Sequence, residues 1–240
     1  MTVPAELLAW DSDFFGIRVA RAVDTASFGE GSGGKLVAWC EAQGVAWVYA
    51  LLPPTSVASR EAERHGLSLT DIRVEMSGQP SHIPDVPHGT VRPFLPADLP
   101  AMRELARISH GDSRFFADQK LPREQAERLF ERWIERDSEP SPSRWAGVAV
   151  LNEEPAGYLT AHVDSRGTGW IGLVAVASTA RGRGLGTSLL AAAGRWMAER
   201  GVLASRVVTQ GRNIAAQRMY QQAGFRTDSI QLWYHRWFPT

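Results

Sequence analysis

The sequence predicts a mixed α/β fold, and three observations carry the prediction. Apolar stretches of strand length, "RWAGVAVLN", "EPAGYLTAHVD" and "TGWIGLVAVA", follow one another between residues 144 and 177 with short polar turns between them. Helical stretches on either side repeat apolar residues every three or four positions. The chain then returns through "SRVVTQ", a short helix and a last strand, "SIQLWYHRWF".

Each element has a local reason. Five prolines fall between residues 77 and 98, and proline fixes φ and removes a backbone donor, so the chain is expected to break there. The expected division is an N-terminal α/β domain over residues 1–80, a linker over 81–89 and a second domain over 90–240. Asp98 is placed to cap a helix carrying Leu99, Met102, Leu105 and Ala106 on one face. Pro122 opens another, with Ala126, Leu129, Phe130, Trp133 and Ile134 as its stripe. Glu153, Glu154 and Pro155 offer a turn between the first two strands. A helix with Leu185, Leu189, Leu190, Ala193, Trp196 and Met197 inward stops at Gly201, and the helix holding Tyr220 stops at Gly224.

The first 80 residues echo the last 40. The stretch from Gly44 and the stretch from Gly201 both read Gly-Val, apolar strand, polar turn, short helix, Gly, strand. Gly66 falls where Gly224 falls, and Ala62 where Tyr220 falls. A common strand-helix-strand unit and a duplicated half-domain both account for this.

Composition narrows the class. The 240 residues are 44% hydrophobic and 22% charged, as in ordinary globular domains. Twenty-six basic residues balance 26 acidic ones, so overall charge favours neither nucleic acid nor a membrane surface. The single cysteine, Cys40, excludes an internal disulfide and lies in an apolar helical pattern that suits a core position. The start, "MTVPAELLAWDSDFFG", lacks a basic, long apolar leader, and no apolar run approaches the roughly 20 residues of a membrane span. A cytoplasmic protein is expected, with no metal; no feature sets its oligomeric state, and a homodimer is compatible with it.

The chemistry concentrates in "VAVASTARGRGLGTSLL". Glycines at 182, 184 and 186 permit close backbone approach, and the helix that follows presents free amides and a positive dipole end suited to phosphate. Arg181 and Arg183 add charge. The P-loop pattern fails for want of a lysine after the last glycine, and the dinucleotide pattern fails on glycine spacing.

The segment Arg181, Gly184, Gly186 resembles the Arg/Gln-x-x-Gly-x-Gly/Ala signature of GNAT-type N-acetyltransferases. Asn213, Ala216, Tyr220, Gly224 and Phe225 follow in that family's order. "WDSDFFG", "SRFFAD", "ERLFERWIERD" and "VVTQGRN…WYHRW" resemble the branch acting on sugar nucleotides. The resemblance implies a GNAT acyltransferase fold, a mixed and mostly antiparallel central sheet flanked by helices, over residues 90–240. The smaller α/β domain before it would be a degenerate half of the same fold.

The resemblance also implies site roles. Leu173, Val174, Ala175 and Val176 would pair through their backbone with the pantetheine arm of acetyl-CoA. The amides of Arg183, Gly184, Leu185, Gly186 and Thr187, with Arg181 nearby, would hold its pyrophosphate. Asn213 would touch the pantetheine or cap the next helix, and Tyr220 would protonate the leaving thiolate. The acceptor implied is a nucleotide-linked amino sugar, first dTDP-4-amino-4,6-dideoxygalactose. Arg114, Phe115 and Phe116, with Phe14, Phe15 and Trp10, would bind it, although each also suits a core or a surface ion pair. His162, Asp164 and His235 are candidates for the base. An antibiotic, polyamine or peptide amine remains an alternative acceptor, and a CoA-binding sensor an alternative function.

Overall fold

The computed structural model describes residues 4–84 and 89–239. In chain order the elements are β1 (Ala5–Leu7), α1 (Ala9–Phe15), β2 (Val19–Ala22), α2 (Ser32–Ala42), β3 (Trp47–Leu52), α3 (Ser56–Arg64), β4 (Ser68–Gly78) and β5 (Thr90–Pro93). There follow α4 (Leu99–Ser109), α5 (Arg114–Ala117), α6 (Arg123–Ser138), β6 (Arg144–Leu151), β7 (Glu154–Val163), β8 (Gly169–Val176), α7 (Leu185–Ala198), β9 (Ser205–Gln210), α8 (Ile214–Gln222) and β10 (Arg226–Trp237). Every strand and helix expected after residue 90 is present.

Two compact units form, and they are not the sequential pair expected from the proline-rich break. One contains residues 1–73, 113–121 and 230–240; the other contains 74–112 and 122–229. The boundaries fall inside β4 and β10 rather than at the prolines. Part of the expected linker 81–89 lies outside the described residues, and the part described is structured. Pro80–His82 form a 3-10 turn, and the buried Ile83 packs with the residues around α7.

In the first unit β2 pairs with β1 antiparallel and with β3 in parallel, and β10 pairs antiparallel with β3. Leu36 and Cys40 of α2, and Ala58 and Ala62 of α3, share a core with Val48, Ala50, Leu52 and Tyr234. Burial pushes the Cys40 thiol up to about 12, so it is a core residue without thiolate character.

In the second unit β5, β6, β7 and β8 form an antiparallel run, and β9 joins β8 in parallel. Strand alternation sends Ala149, Leu159 and Ile171 to a core with Leu185, Leu189, Leu190, Ala193 and Met197 of α7. Tyr158 points the other way, where α4 and α6 pack. The turn between β6 and β7 lies at Asn152 and Glu153, with φ of 51° and 68°, one residue earlier than expected; Glu154 and Pro155 already belong to β7. Positive φ at both central residues is what a tight two-residue hairpin requires.

The two echoing stretches form the same local unit. In β3-α3-β4 the Thr55 hydroxyl accepts from Ala58 N at 3.2 Å, and in β9-α8-β10 the Asn213 carboxamide accepts from Ala216 N at 3.1 Å. Both helices have nine residues. Gly66 and Gly224 follow them at corresponding places.

Asp98 does not cap α4 through its side chain as expected. Its carboxylate takes the Leu95 amide at 2.8 Å and both terminal nitrogens of Arg92, at 2.7 and 2.8 Å. That bonding, chiefly with Arg92, holds the Asp98 carboxyl below the usual range, so its contribution to stability is present above about pH 4 and is lost as pH falls through the lowered native value. Asp98→Asn should cost about 2 kcal/mol at pH 7, allowing for screening of the partly exposed arginine, in chemical denaturation. The gap to wild type should shrink as the pH is lowered toward 3.

Candidate acetyl-transfer site

The second unit assembles the glycine loop, the end of β8 and the start of α8. The parallel register of β8 and β9 covers Gly169↔Ser205, Trp170↔Arg206 and Ile171↔Val207. Leu173, Val174, Ala175 and Val176 continue beyond it, held on their other side by β7 through Leu159↔Val174, Tyr158↔Ala175 and Gly157↔Val176. The β7–β8 register shifts between Leu159 and Ala161, and there the buried Thr160 hydroxyl accepts from Leu173 N at 2.8 Å. Gly172 leaves room for that hydroxyl, since a Cβ there would sit 2.5 Å from it.

After β8 a 3-10 turn, Ser178–Ala180, leads to Arg181, whose Nε donates to Val176 O at 3.2 Å. Arg181 and Arg183 are exposed. Gly184 caps α7 with φ of 75°, a conformation that side chains other than glycine resist. The first intrahelical bond of α7 is Ser188 N to Gly184 O at 3.0 Å, so the amides of Leu185, Gly186 and Thr187 are first-turn donors left without intrahelical partners. Gly186 serves packing as well. A Cβ there would lie 2.7 Å from Met219 Sδ and 3.9 Å from Val176 Cγ2, which brings β8, α7 and α8 together at one point.

Tyr220 lies on α8, only 4% exposed, with its ring 5.9 Å from that of Phe225. Burial raises its pKa well above the ordinary phenol value, and among the described residues its hydroxyl has no hydrogen-bond partner. A hydroxyl in that state keeps its proton across the neutral range. Asn213 caps α8, as the cap reading of this residue expected. Gln217 ties the preceding turn by donating to Gln210 O and Gly211 O, both at 3.0 Å.

The first unit holds the other group of candidates. Phe15 is buried against Trp47 at 5.2 Å and is a core residue; Phe14 stacks on the exposed Trp10 at the same separation. Phe115 is buried and Phe116 half-buried. Arg114 lies over the rings of Tyr49, Phe115 and Trp233 at 4.2, 4.1 and 4.3 Å. Along β10, Trp233, His235 and Trp237 share one face, and Tyr234 packs in the core on the other.

His235 is not arranged as a base. Arginine only donates, so His235 Nε2 is the acceptor of the 3.0 Å bond from Arg114 Nη1, and Nδ1 donates to Asp118 Oδ2 at 2.7 Å. Both ring nitrogens are therefore engaged. Burial, against the pull of Asp118, takes its pKa down to about 4. Asp164 is likewise committed: its carboxylate accepts from Arg166 N, Thr168 N and Trp170 Nε1 at 2.9, 3.0 and 3.0 Å, shaping the β7–β8 hairpin. His162 is exposed, stacks on Trp170, and lines a cavity of about 230 Å³ with Arg136, Asp137, Ser143, Arg144, Thr160 and Ala161. Burial moves its pKa down.

Sequence reading missed three participants. Tyr49 donates to Asp11 at 2.9 Å, and Asp118 takes both His235 and Trp237, the latter at 2.9 Å. His110 bonds Tyr158 at 2.8 Å and stacks on Phe130 at 4.3 Å, and burial takes it down to about 4. Their partners are distant in the chain, so no local spacing marks them.

The cap reading of Asn213 predicts a stability effect. Asn213→Ala should cost about 1 kcal/mol of stability, and Asn213→Asp, which keeps the acceptor oxygen, should restore most of it in thermal melts. Equal stability of all three proteins would remove the cap.

Comparison with known proteins agrees with this architecture. Residues 101–225, over half the chain, match the Acetyltransferase (GNAT) family. The chain is 27% identical over 233 residues to a dTDP-fucosamine acetyltransferase of Escherichia coli O6:H1, covering 96% of this chain and 97% of that one. It is 29% identical over 210 residues to a mycothiol acetyltransferase of Mycobacterium avium, covering 78% of this chain but 62% of that protein's length. A crystal structure of a GCN5-related N-acetyltransferase from Sphaerobacter thermophilus superposes with a TM-score of 0.69 at 21% identity, covering 97% of this chain and 76% of that one. The parted strands, the glycine-capped α7 and the family match together make the chain a member of the GNAT family, an acetyl-CoA-dependent N-acetyltransferase.

Proposed function

We propose that the acceptor is the amino group of a nucleotide-linked amino sugar, with dTDP-4-amino-4,6-dideoxygalactose as first candidate. The observation that carries this reading is the end-to-end similarity to an enzyme named for dTDP-fucosamine. The similarity to mycothiol acetyltransferases supports a second reading, an acceptor with another small amine. A thiol-release assay with acetyl-CoA separates them. Release with a dTDP-amino sugar supports the first; release with other amines and not with the sugar overturns it. CoA binding without release on any amine favours a sensor.

On this reading the Leu173–Val176 backbone pairs with pantetheine in place of β9. The amides of Arg183, Gly184, Leu185, Gly186 and Thr187 hold the pyrophosphate, aided by Arg181 and Arg183. Hydrogen bonds to charged groups contribute about 1.5–3 kcal/mol each, so several amides on one pyrophosphate suffice for firm binding. Asn213, its oxygen committed to the cap, has only its amide nitrogen left for a cofactor contact.

The neutral amine attacks the thioester carbonyl carbon, the C–S bond breaks, and the sulfur takes the Tyr220 proton; the proton released from nitrogen passes through solvent or a relay, which reprotonates Tyr220. An ordinary phenol sits about 1.5 units above a thiol, about 2 kcal/mol uphill, and burial widens that gap. Tyr220 therefore releases its proton only as charge develops on sulfur. The sugar amine should titrate near 8, like an α-amino group, leaving about a tenth neutral at pH 7 for a cost of about 1.4 kcal/mol. That is small enough for a water relay. The shared local plan of α3 and α8 fits a degenerate second half of the fold, in which Ala62 stands where Tyr220 does.

Tyr220→Phe should lower kcat about 100-fold or more with little change in CoA affinity; near-normal turnover would remove Tyr220 from the chemistry. Gly184→Val should weaken CoA binding measured by calorimetry, and unchanged affinity in a folded variant would refute the phosphate assignment.

A further inference from the structure

Arg114 is a cation in an unusual position. Its guanidinium is covered by the rings of Tyr49, Phe115 and Trp233, with centroids 4.1–4.3 Å away, and burial weakens its charged form. Among the described residues no carboxylate lies within ion-pair distance of it. Asp11 and Asp71 act on it only through the longer-range field, and Asp11 is engaged by the Tyr49 hydroxyl at 2.9 Å. It gives a 3.0 Å hydrogen bond to neutral His235 and also bonds the Tyr49 side chain, and a guanidinium has five N–H donors.

A buried charge without a counter-charge is costly, and the cost is normally met by pairing. Next to Arg114 in the chain, the Ser113 hydroxyl is 7% exposed and also lacks a hydrogen-bond partner among the described residues. Arg114 as a whole residue is half-buried. The guanidinium N–H groups not taken by His235 and Tyr49 are the donors that bind phosphate or carboxylate in a fork.

The guanidinium is also locked in place. Asp118 accepts from His235 Nδ1 at 2.7 Å and from Trp237 Nε1 at 2.9 Å, which fixes the tautomer with Nε2 bare and facing Arg114. Burial would raise the Asp118 carboxyl, yet the bonds from His235 and Trp237 hold it low, so it remains a carboxylate.

We infer that the first unit carries an oxyanion-binding site built on Arg114 in its three-ring cage, with Asp118 and His235 as positioning residues and a phosphate or diphosphate group as ligand. That the diphosphate belongs to the acceptor rests on the reading under Proposed function; the site itself does not.

The test is calorimetry on the full chain saturated with CoA, so that the cofactor's own phosphate site is filled. Inorganic pyrophosphate and dTDP should each bind with one-to-one stoichiometry, and Arg114→Gln should weaken both about tenfold or more. Thymidine, without phosphate, should be insensitive to that change. No pyrophosphate or dTDP binding by the wild type, or equal binding by folded Arg114→Gln, overturns the site. Should Arg114→Gln not fold, the Arg114 Nε–H resonance of the wild type decides: it shifts on adding pyrophosphate, or the site is wrong. His235→Gln, whose amide can accept from Arg114 and donate to Asp118, should keep the affinity that His235→Leu loses; equal affinity in both removes the positioning role. Pyrophosphate binding through Arg114 without acetylation of a dTDP-amino sugar leaves the site standing and overturns the acceptor. Acetylation with KM unchanged in Arg114→Gln overturns the assignment of the diphosphate to the acceptor, and the calorimetry alone then decides the site.

Discussion

The second unit depends on the early parting of two parallel strands. After Ile171↔Val207 the β8 backbone runs on to Val176 without a β9 register. A strand that gives up one neighbour must be held harder by the other. The Thr160 hydroxyl does this by taking the Leu173 amide where the β7–β8 register shifts, and Gly172 has no side chain to obstruct it. The loop at the end of β8 then needs a left-handed residue to turn its amides outward, and Gly184 supplies it.

Small residues decide how closely the parts approach. Gly186 lets α7 and α8 meet at Met219, and the same α8 buries the Tyr220 ring beside Phe225. Burial of the tyrosine is a packing outcome with a chemical consequence, because it removes water that would favour the phenolate. Core membership and retention of the phenolic proton thus go together in one side chain.

The first unit follows a different rule. Its aromatic residues do not form a uniform apolar core; Trp47 packs edge to face on Phe15, Tyr49 and Phe115, and Tyr49, Phe115 and Trp233 surround Arg114. Three segments far apart in the chain supply the pieces: Tyr49 from β3, Arg114 and Asp118 in and beside α5, and Trp233, His235 and Trp237 from β10. Cross-strand register makes the set, since His235 lies opposite Tyr49 and Trp237 opposite Trp47.

The sequence by itself determined the order and kind of the elements from residue 90 onward, the glycine loop at the start of α7, and the family. Those signals are local: periodicity, glycine spacing and caps act within a few residues. It misplaced what long-range pairing controls. The units were expected to be consecutive but are interleaved, because β4 and β10 each contribute one end to each unit. Asp98 was expected to serve a helix but is drawn to Arg92, six residues back on a strand, since a bidentate ion pair outbids a single amide. His235 read as a free base only until its two neighbours, 117 and 121 residues away, were seen to occupy both nitrogens. Only the tertiary structure decided which side chains share a face and which charges go unpaired, because burial and hydrogen-bond satisfaction depend on residues that sequence spacing does not bring together.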